Sequence, residues 1–346
     1  MKTAVVVLNW NTERLLKAFL PGVAASCGPE TELVVADSGS SDGSLEYVKG
    51  SLPQVRTVVL GENLGFAGGY NRVLGMTEAE YFVLLNSDVE VSPGWLEPLV
   101  EYMDTHPGCG VCAPKLHALV KDGESFRRTS IFEYAGAAGG YIDRFGFPFC
   151  RGRVLSRTEE VSGQYDGGPG SVLWVSGACM MVRSSLWRAL GGFDGRFFAH
   201  MEEIDFCWRA RLQGFDVVCL PGSTVWHLGG GTLAAGSPVK LGLNFRNNLL
   251  MLENNLPSTV GAGRARCIIR QRMLIDLAAA AAYLLKGRPK LCKAVLSAHR
   301  DYRRLRRTGP GGEASVRGYW NKCIILQSVL RGNGIFKYLR RYENSY

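Results

Sequence analysis

Short, continuous apolar runs recur through the first part of the chain, each ending in a polar turn. Residues 4–8 (AVVVL), 32–36, 55–60 and 81–85 are the four runs. Runs of this length without polar alternation predict parallel strands buried on both faces. A helix is expected over residues 14–25, and another opening near Leu45 after the polar turn DSGSSDGS. Strands alternating with helices at this spacing predict an α/β fold, built on an open, mostly parallel sheet with its ligand across the carboxyl ends of the strands.

Beyond residue 109 the pattern changes. Residues 109–174 carry many glycines and scattered aromatics, which predicts an excursion with hairpins. Residues 172–182 return as apolar strand material around Ser176-Gly177-Ala178, where small side chains let a substrate pass close to the backbone. Residues 216–220 and 225–227 read as two further short strands, and residues 264–307 as a basic, amphipathic helical segment.

Composition adds an asymmetry. The net charge is +9, yet residues 240–346 hold 21 Lys and Arg against 5 Asp and Glu, leaving residues 1–239 at −7. A basic amphipathic segment suits an anionic membrane surface, a helical subdomain with a solvated face, or a homo-oligomer contact. No nucleic-acid-binding motif accompanies the charge. The ten cysteines lack paired spacing and no signal peptide leads the chain, so a cytoplasmic location is expected. The most apolar tract, residues 274–285, is shorter than the roughly 20 residues that span a bilayer, so no transmembrane helix is predicted.

The stretch LGGFDGRFFAHMEEIDFCWR (190–209) sets acids among aromatic groups. On a helix, Ile204, Cys207, Trp208 and Leu212 share one face, while Glu202, Asp205 and Arg209 fall opposite, Asp205 and Arg209 as an i,i+4 ion pair. Glu203 lies at the border of the apolar face, where a carboxylate can gain a pKa suited to general-base work. A solvated acidic first turn is the ordinary alternative. At the strand tips stand Asn9 and Asn11, then Asp37, then the glycine loop Asn63-Leu64-Gly65 continuing to Asn71, then Asn86-Ser87-Asp88. The loop glycines allow close backbone approach, and the helix start offers N–H groups to phosphate. No GxGxxG follows the first strand, which argues against a dehydrogenase-type dinucleotide fold, and no GxxxxGK[ST] occurs. Phosphate held without a P-loop lysine calls for a cation, so Asp88 is the first candidate ligand for Mg²⁺ or Mn²⁺, with His227 able to complete the shell.

In their order, VVVLNWN, ADSGSSDGS, ENLGFAGGYN, LLNSDVEV, WVSGACMMVRSSLW, GGFDGRFFAHMEEIDFCWRARLQG and VWHLGGGT resemble a family 2 glycosyltransferase with the GT-A fold, in particular the bacterial rhamnosyltransferase-like branch. The resemblance covers about residues 3–255. It implies a catalytic and nucleotide-sugar-binding domain over residues 1–240, and a helical region over 241–346 that meets acceptor or membrane. It further implies metal-dependent, inverting transfer of a sugar, L-rhamnose in the branch's most familiar case, from a dTDP- or UDP-linked donor to a glycan or polyprenyl-diphosphate-linked acceptor, in cell-surface glycan assembly on the inner face of the cell membrane. Asp37 would read the base, with Asn9, Asn11, Asn63, Gly65, Asn71 and Asn86 around the nucleotide sugar. Asp88 and His227 would hold the metal, Asn86 replacing the first acid of the DxD-like motif. The family's base falls at Glu203, with Glu202 and Asp205 beside it and Glu in place of the more usual Asp. Trp174, Gly177, Glu202 and Arg209 would face the acceptor. The competing expectations are a nucleotide-sugar-binding protein without transfer activity, and a nucleotidyltransferase, which should carry a basic activating loop where this chain has LNWNTE.

Overall fold

The computed structural model describes residues 1–229, 236–307 and 311–343. The Gly230-Gly231-Thr232 end of the VWHLGGGT motif lies outside them. The first half alternates as expected: β1 (Thr3–Asn9), α1 (Glu13–Ala25), β2 (Thr31–Asp37), α2 (Ser44–Ser51), β3 (Arg56–Val59), α3 (Gly65–Leu74) and β4 (Tyr81–Asn86). The short β5 (Val89–Val91) and α4 (Glu97–Thr105) then lead to β6 (Cys109–Asp122) and β7 (Ser125–Phe132). Small strands follow: β8 (Gly140–Asp143), β9 (Pro148–Cys150), β10 (Arg153–Val154), β11 (Arg157–Thr158) and β12 (Gly170–Ser171). The core closes with β13 (Cys179–Arg183), α5 (Ser184–Ala189), α6 (Glu202–Leu212) and β14 (Asp216–His227). The basic part holds α7 (Pro238–Val260), α8 (Ala262–Leu285), α9 (Pro289–Leu305), β15 (Tyr319–Trp320), α10 (Ile324–Arg331) and α11 (Ile335–Glu343).

The main sheet runs β12-β14-β6-β13-β4-β1-β2-β3. Its β3-β2-β1-β4 half is parallel, as the apolar runs predict, whereas β13 enters antiparallel between β4 and β6. Along β1, Val6 belongs to one apolar layer while Val5 and Val7 belong to the other, so both faces of the strand are covered.

Three expectations need correcting. Residues 109–174 are not all excursion, because β6 is a long strand inside the main sheet. The buried apolar residues Cys109, Val111, Cys112, Ala113 and Leu116 suit that central position, and only β7 and the second sheet, β11-β10-β9-β8-β15, form the hairpin part. Residues 216–220 and 225–227 are one strand, β14, which passes Pro221-Gly222 with a register shift between Leu220 and Thr224. In residues 172–182, only Cys179 onward is strand.

The basic part is tied back to the core. Helix α7 starts under a Ser237 cap with Pro238 in its first turn, then packs across α6. Strand β15 pairs with β8, and Trp320 shares a small apolar core with Phe149, Val154, Ile324 and Leu339. Of the basic helices, α9 is amphipathic, but the C-terminal half of α8 is apolar on its outward face as well: Ile268, Ile269 and Ala280 are buried, while Leu274, Leu277, Leu284 and Leu285 are exposed.

Candidate active site

The carboxyl edges of β1 and β2 are stitched together by side chains. Register pairs Asn9 with Asp37, and the Asn9 amide donates to Asp37 Oδ1 (2.7 Å) and to Ser40 Oγ (3.0 Å). Asp37 Oδ2 accepts from the backbone N–H of Gly39 (3.1 Å) and Ser40 (2.9 Å). Asn11, at φ +54°, accepts from Ser41 N–H at 2.8 Å. These residues therefore build the wall of the strand-edge cleft first. With one donor on Asp37 Oδ1, that oxygen keeps lone-pair capacity for a base.

Two N–H groups of the glycine loop are engaged within the protein. Asn63 Oδ1 takes Gly65 N–H (2.9 Å), and Phe66 N–H is donated to the Phe198 carbonyl (2.7 Å). Gly65 has φ +71°, and a Cβ there would lie 2.4 Å from Phe198 O, so only glycine permits this approach. Asn71 accepts from Phe193 N–H and donates to Phe193 O, which engages both ends of its amide. Gly65 and Asn71 thus latch α3 to the segment ahead of α6.

Asn86-Ser87-Asp88 forms the turn between β4 and β5, and β5 pairs with β14 so that Val89 stands opposite His227. That register brings His227 Nε2 to 3.2 Å from Asp88 Oδ1 and 3.4 Å from the Asn86 amide nitrogen, while Nδ1 faces Glu133 Oε1 at 3.4 Å. Burial works against a charged imidazole here, but the Asp88 and Glu133 carboxylates outweigh it and push His227 up to about 10. A cation here would have to displace the Nε2 proton that His227 shares with Asp88, after which Nε2 and the Asp88 carboxylate would stand side by side as donors, with Glu133 facing Nδ1. Among the described residues no group of three or more His, Cys, Asp and Glu could enclose one. A cation at this corner would take its remaining oxygens from a ligand's phosphates, the usual arrangement for Mg²⁺. Glu133, from the glycine-rich region, is a part that sequence reading missed.

At the start of α6, His200 and Met201 both adopt φ +75°, and the Asn247 amide donates to the carbonyls of Ala199 and His200 (2.8 Å each). This bend delivers two adjacent carboxyls to the interior. Glu202 is buried and Glu203 half-buried, and each has a buried Oε2 without a hydrogen-bond partner. Burial raises Glu203 to about 7 against the pull of helix N–H groups. Glu202 is raised further, by burial and by the neighbouring Glu203 charge. Glu203 is therefore the acid of the pair suited to ionise near neutrality.

The remaining acid differs. Asp205 is fully buried; Oδ2 pairs with Arg209 Nε (2.8 Å), as the spacing predicts, and Oδ1 accepts from Asn254 and Asn255 (2.8 Å each). With three donors and no exposed surface, Asp205 anchors α6 to α7, an arrangement that favours Glu203 over Asp205 as the group that meets a substrate proton. The other nitrogens of Arg209 donate to the carbonyls of Leu190 and Gly192 (2.9 Å each), so this side chain ties the segment ahead of α6 to the helix. Trp174 is buried, with Nε1 on Tyr141 O (3.0 Å), so it forms wall rather than acceptor contact. Nor do Glu202 and Asp205 face solvent, because α7 covers that side of α6 with Asn247, Asn254 and Asn255. The repeated asparagines of NFRNNLLMLENN were the available signal: amides in an apolar helix require buried partners.

One segment links the two chemical centres. Asn86 N–H bonds to Ala178 O (2.9 Å), and a Cβ on neighbouring Gly177 would lie 3.5 Å from Glu203 Cβ and 3.2 Å from the Phe66 ring. Ser176-Gly177-Ala178 therefore touches both the Asn86 turn that leads to Asp88 and the Glu203 side chain.

Residues 4–166 match the model of the family described as glycosyl transferase family 2. An N-acetylglucosaminyl-diphospho-decaprenol L-rhamnosyltransferase of Mycobacterium tuberculosis is 26% identical over 234 residues, covering 64% of this chain and 75% of the relative. The low-salt glycan biosynthesis hexosyltransferase Agl10 of Haloferax volcanii is 23% identical over 219 residues, 62% of this chain and 63% of the relative. In fold, the chain is similar to GalNAc-T7 crystallised with UDP, GalNAc and Mn²⁺ (TM-score 0.56, 16% identity, 73% of this chain and 48% of that one). It is also similar to the mannosyltransferase PcManGT of Pyrobaculum calidifontis in complex with GDP-Man and Mn²⁺ (TM-score 0.51, 13% identity, 99% and 83%). The fold is GT-A.

Proposed function

For this chain, whose residues 4–166 match the model of glycosyl transferase family 2, we propose inverting transfer of a sugar from a nucleotide diphosphate sugar to an acceptor hydroxyl. The observation that carries the proposal is what meets at Ser176-Gly177-Ala178: the Glu203 side chain, its carboxyl raised to about 7, packs at Gly177, and the Asn86 turn that leads to the Asp88–His227 pair bonds to Ala178. Glu203 takes the acceptor hydroxyl proton as that oxygen bonds to the anomeric carbon, and the bond from that carbon to the diphosphate oxygen breaks on the opposite face. A single displacement needs one base and no covalent nucleophile. Asp88 and His227 Nε2 would hold a divalent cation, Mg²⁺ or Mn²⁺, which when bound offsets negative charge on the departing diphosphate. Glu202, neutral beside an ionised Glu203, supports the pair sterically and as a hydrogen-bond donor. Asn9, Asn11, Asp37 and Asn63 shape the nucleotide end of the cleft, and Gly177 leaves room for the acceptor.

The L-rhamnosyltransferase relative, whose name carries a polyprenyl diphosphate acceptor, supports L-rhamnose on a dTDP- or UDP-linked donor and a lipid-linked glycan acceptor in cell-surface glycan assembly. Such an acceptor sets the protein at a membrane surface, as a peripheral protein on the cytoplasmic side. Asn86 in place of a DxD acid favours one second reading, a protein that binds nucleotide sugar without transfer. Screening dTDP- and UDP-sugars by thermal shift with Mg²⁺ or Mn²⁺, followed by assay of nucleoside diphosphate release with acceptor, separates them. Binding with no release under any pairing would leave the second reading standing.

A further inference from the structure

Helix α8 presents an outward face that water does not explain. Leu274, Leu277, Leu284 and Leu285 are 66%, 42%, 57% and 89% exposed, with Ala278, Ala281 and Ala282 exposed between them. They recur at three- and four-residue intervals and so form one stripe, about 17 Å long at 1.5 Å per residue. The only acid of α8, Asp276, is turned inward, where it meets Arg272 (2.7 Å) and His299 (3.3 Å). Exposed cations bracket the stripe: Arg266 and Arg270 before it, Lys286, Arg288 and Lys290 after it. Neighbouring α9 adds exposed Lys293, Leu296, Arg300 and Arg303. No helix among the described residues is long and apolar enough to cross a membrane.

We infer that the outward face of α8 lies in the plane of an anionic membrane, its leucines in the headgroup boundary and its flanking cations on acidic lipids. Apolar side chains framed by cations, with no outward acid on α8 and only Asp301, paired with Arg300, on the neighbouring face of α9, match that surface in both polarity and charge. A second copy of the chain fits less well, since pairing two such faces would set cations of one against cations of the other in a region that carries +16. The inference rests on the reading of a lipid-linked acceptor, for it tells how the described helices, none of which is long and apolar enough to cross a membrane, would meet one.

The test is flotation of the full chain with vesicles of phosphatidylcholine, alone or doped with phosphatidylglycerol, beside a Leu277→Glu/Leu285→Glu variant. Both positions are exposed, so the variant should fold and should transfer sugar to a water-soluble short-chain acceptor at the parental rate. We expect the parent to float only with phosphatidylglycerol, less so in high salt, and the variant to lose at least tenfold in bound fraction. Equal flotation of parent and variant, or no flotation of the parent, overturns the inference. So does a parent dimer that the substitutions convert to monomer. A parent that floats but transfers nothing would instead remove the catalytic reading and leave the docking face intact.

Discussion

Glu203 and Asp205 sit two residues apart on one helix, and their surroundings give them opposite chemistry. Asp205 is saturated by Arg209, Asn254 and Asn255, whereas Glu203 keeps a buried oxygen without a partner. Glu203→Gln should retain donor binding by calorimetry while lowering turnover by about 10²–10⁴-fold, the range of a lost general base; an active variant would move the base to Glu202. Because the base works deprotonated, transfer should rise with pH and level off above about 7, the value to which Glu203 is raised. Stability moves the other way. From the ordinary 4.5 up to about 7 the folded chain keeps a proton that the unfolded chain releases, so this group's contribution falls as pH rises across that window. At the other centre, Glu133→Gln should weaken Mn²⁺ binding by roughly 10–100-fold, the usual effect of losing the partner that orients a ligating histidine. Loss of free Mn²⁺ signal in paramagnetic resonance titrations would measure it, and unchanged affinity would remove Glu133 from the site.

At the scale of elements, the site is held by latches between segments distant in sequence. Helix α3 is hooked to the chain ahead of α6 through Phe66–Phe198 and Asn71–Phe193, and α7 clamps the left-handed bend at His200 and Met201 through Asn247. Gly65→Ala places a Cβ against Phe198 O at φ +71° and should cost about 1–3 kcal/mol, read as a lowered Tm with lost activity. The apolar runs made the β1–β4 half legible, since a strand covered on both faces tolerates few polar residues. The role of β6 was hidden because its first residues look like any apolar run, and pairing with β13 and β14 depends on partners about 70 and 105 residues away.

Across the whole molecule, the basic part is fastened to the core by a buried ionic knot. Arg272 reaches Asp276, the Phe145 carbonyl and Asn248, and Asp276 also meets His299, which joins α7, α8, α9 and the turn between β8 and β9. Asp276→Ala would leave the Arg272 charge buried without its counter-ion and should cost about 3–5 kcal/mol, a large drop in Tm. Replacing the exposed Leu277 by Ala should change Tm little, since surface substitutions away from such features stay within about 0.5 kcal/mol.

The stretch of acids among aromatics at residues 190–209 illustrates the division between chain and fold. Local periodicity alone predicted a helix there, an Asp205–Arg209 pair and a distinct Glu203, because these depend on spacing within three turns. Strand tips bearing Asn9, Asp37 and Asp88 were equally visible, since side-chain order along an α/β chain maps onto one edge of the sheet. Which acid is free and which is satisfied was decided by α7, some 50 residues downstream, whose asparagines cover the side that a lone helix would turn to water. The Asp88–His227–Glu133 corner likewise exists only through the β5–β14 register. Burial and hydrogen-bond partners are properties of packing, and no window of sequence contains them.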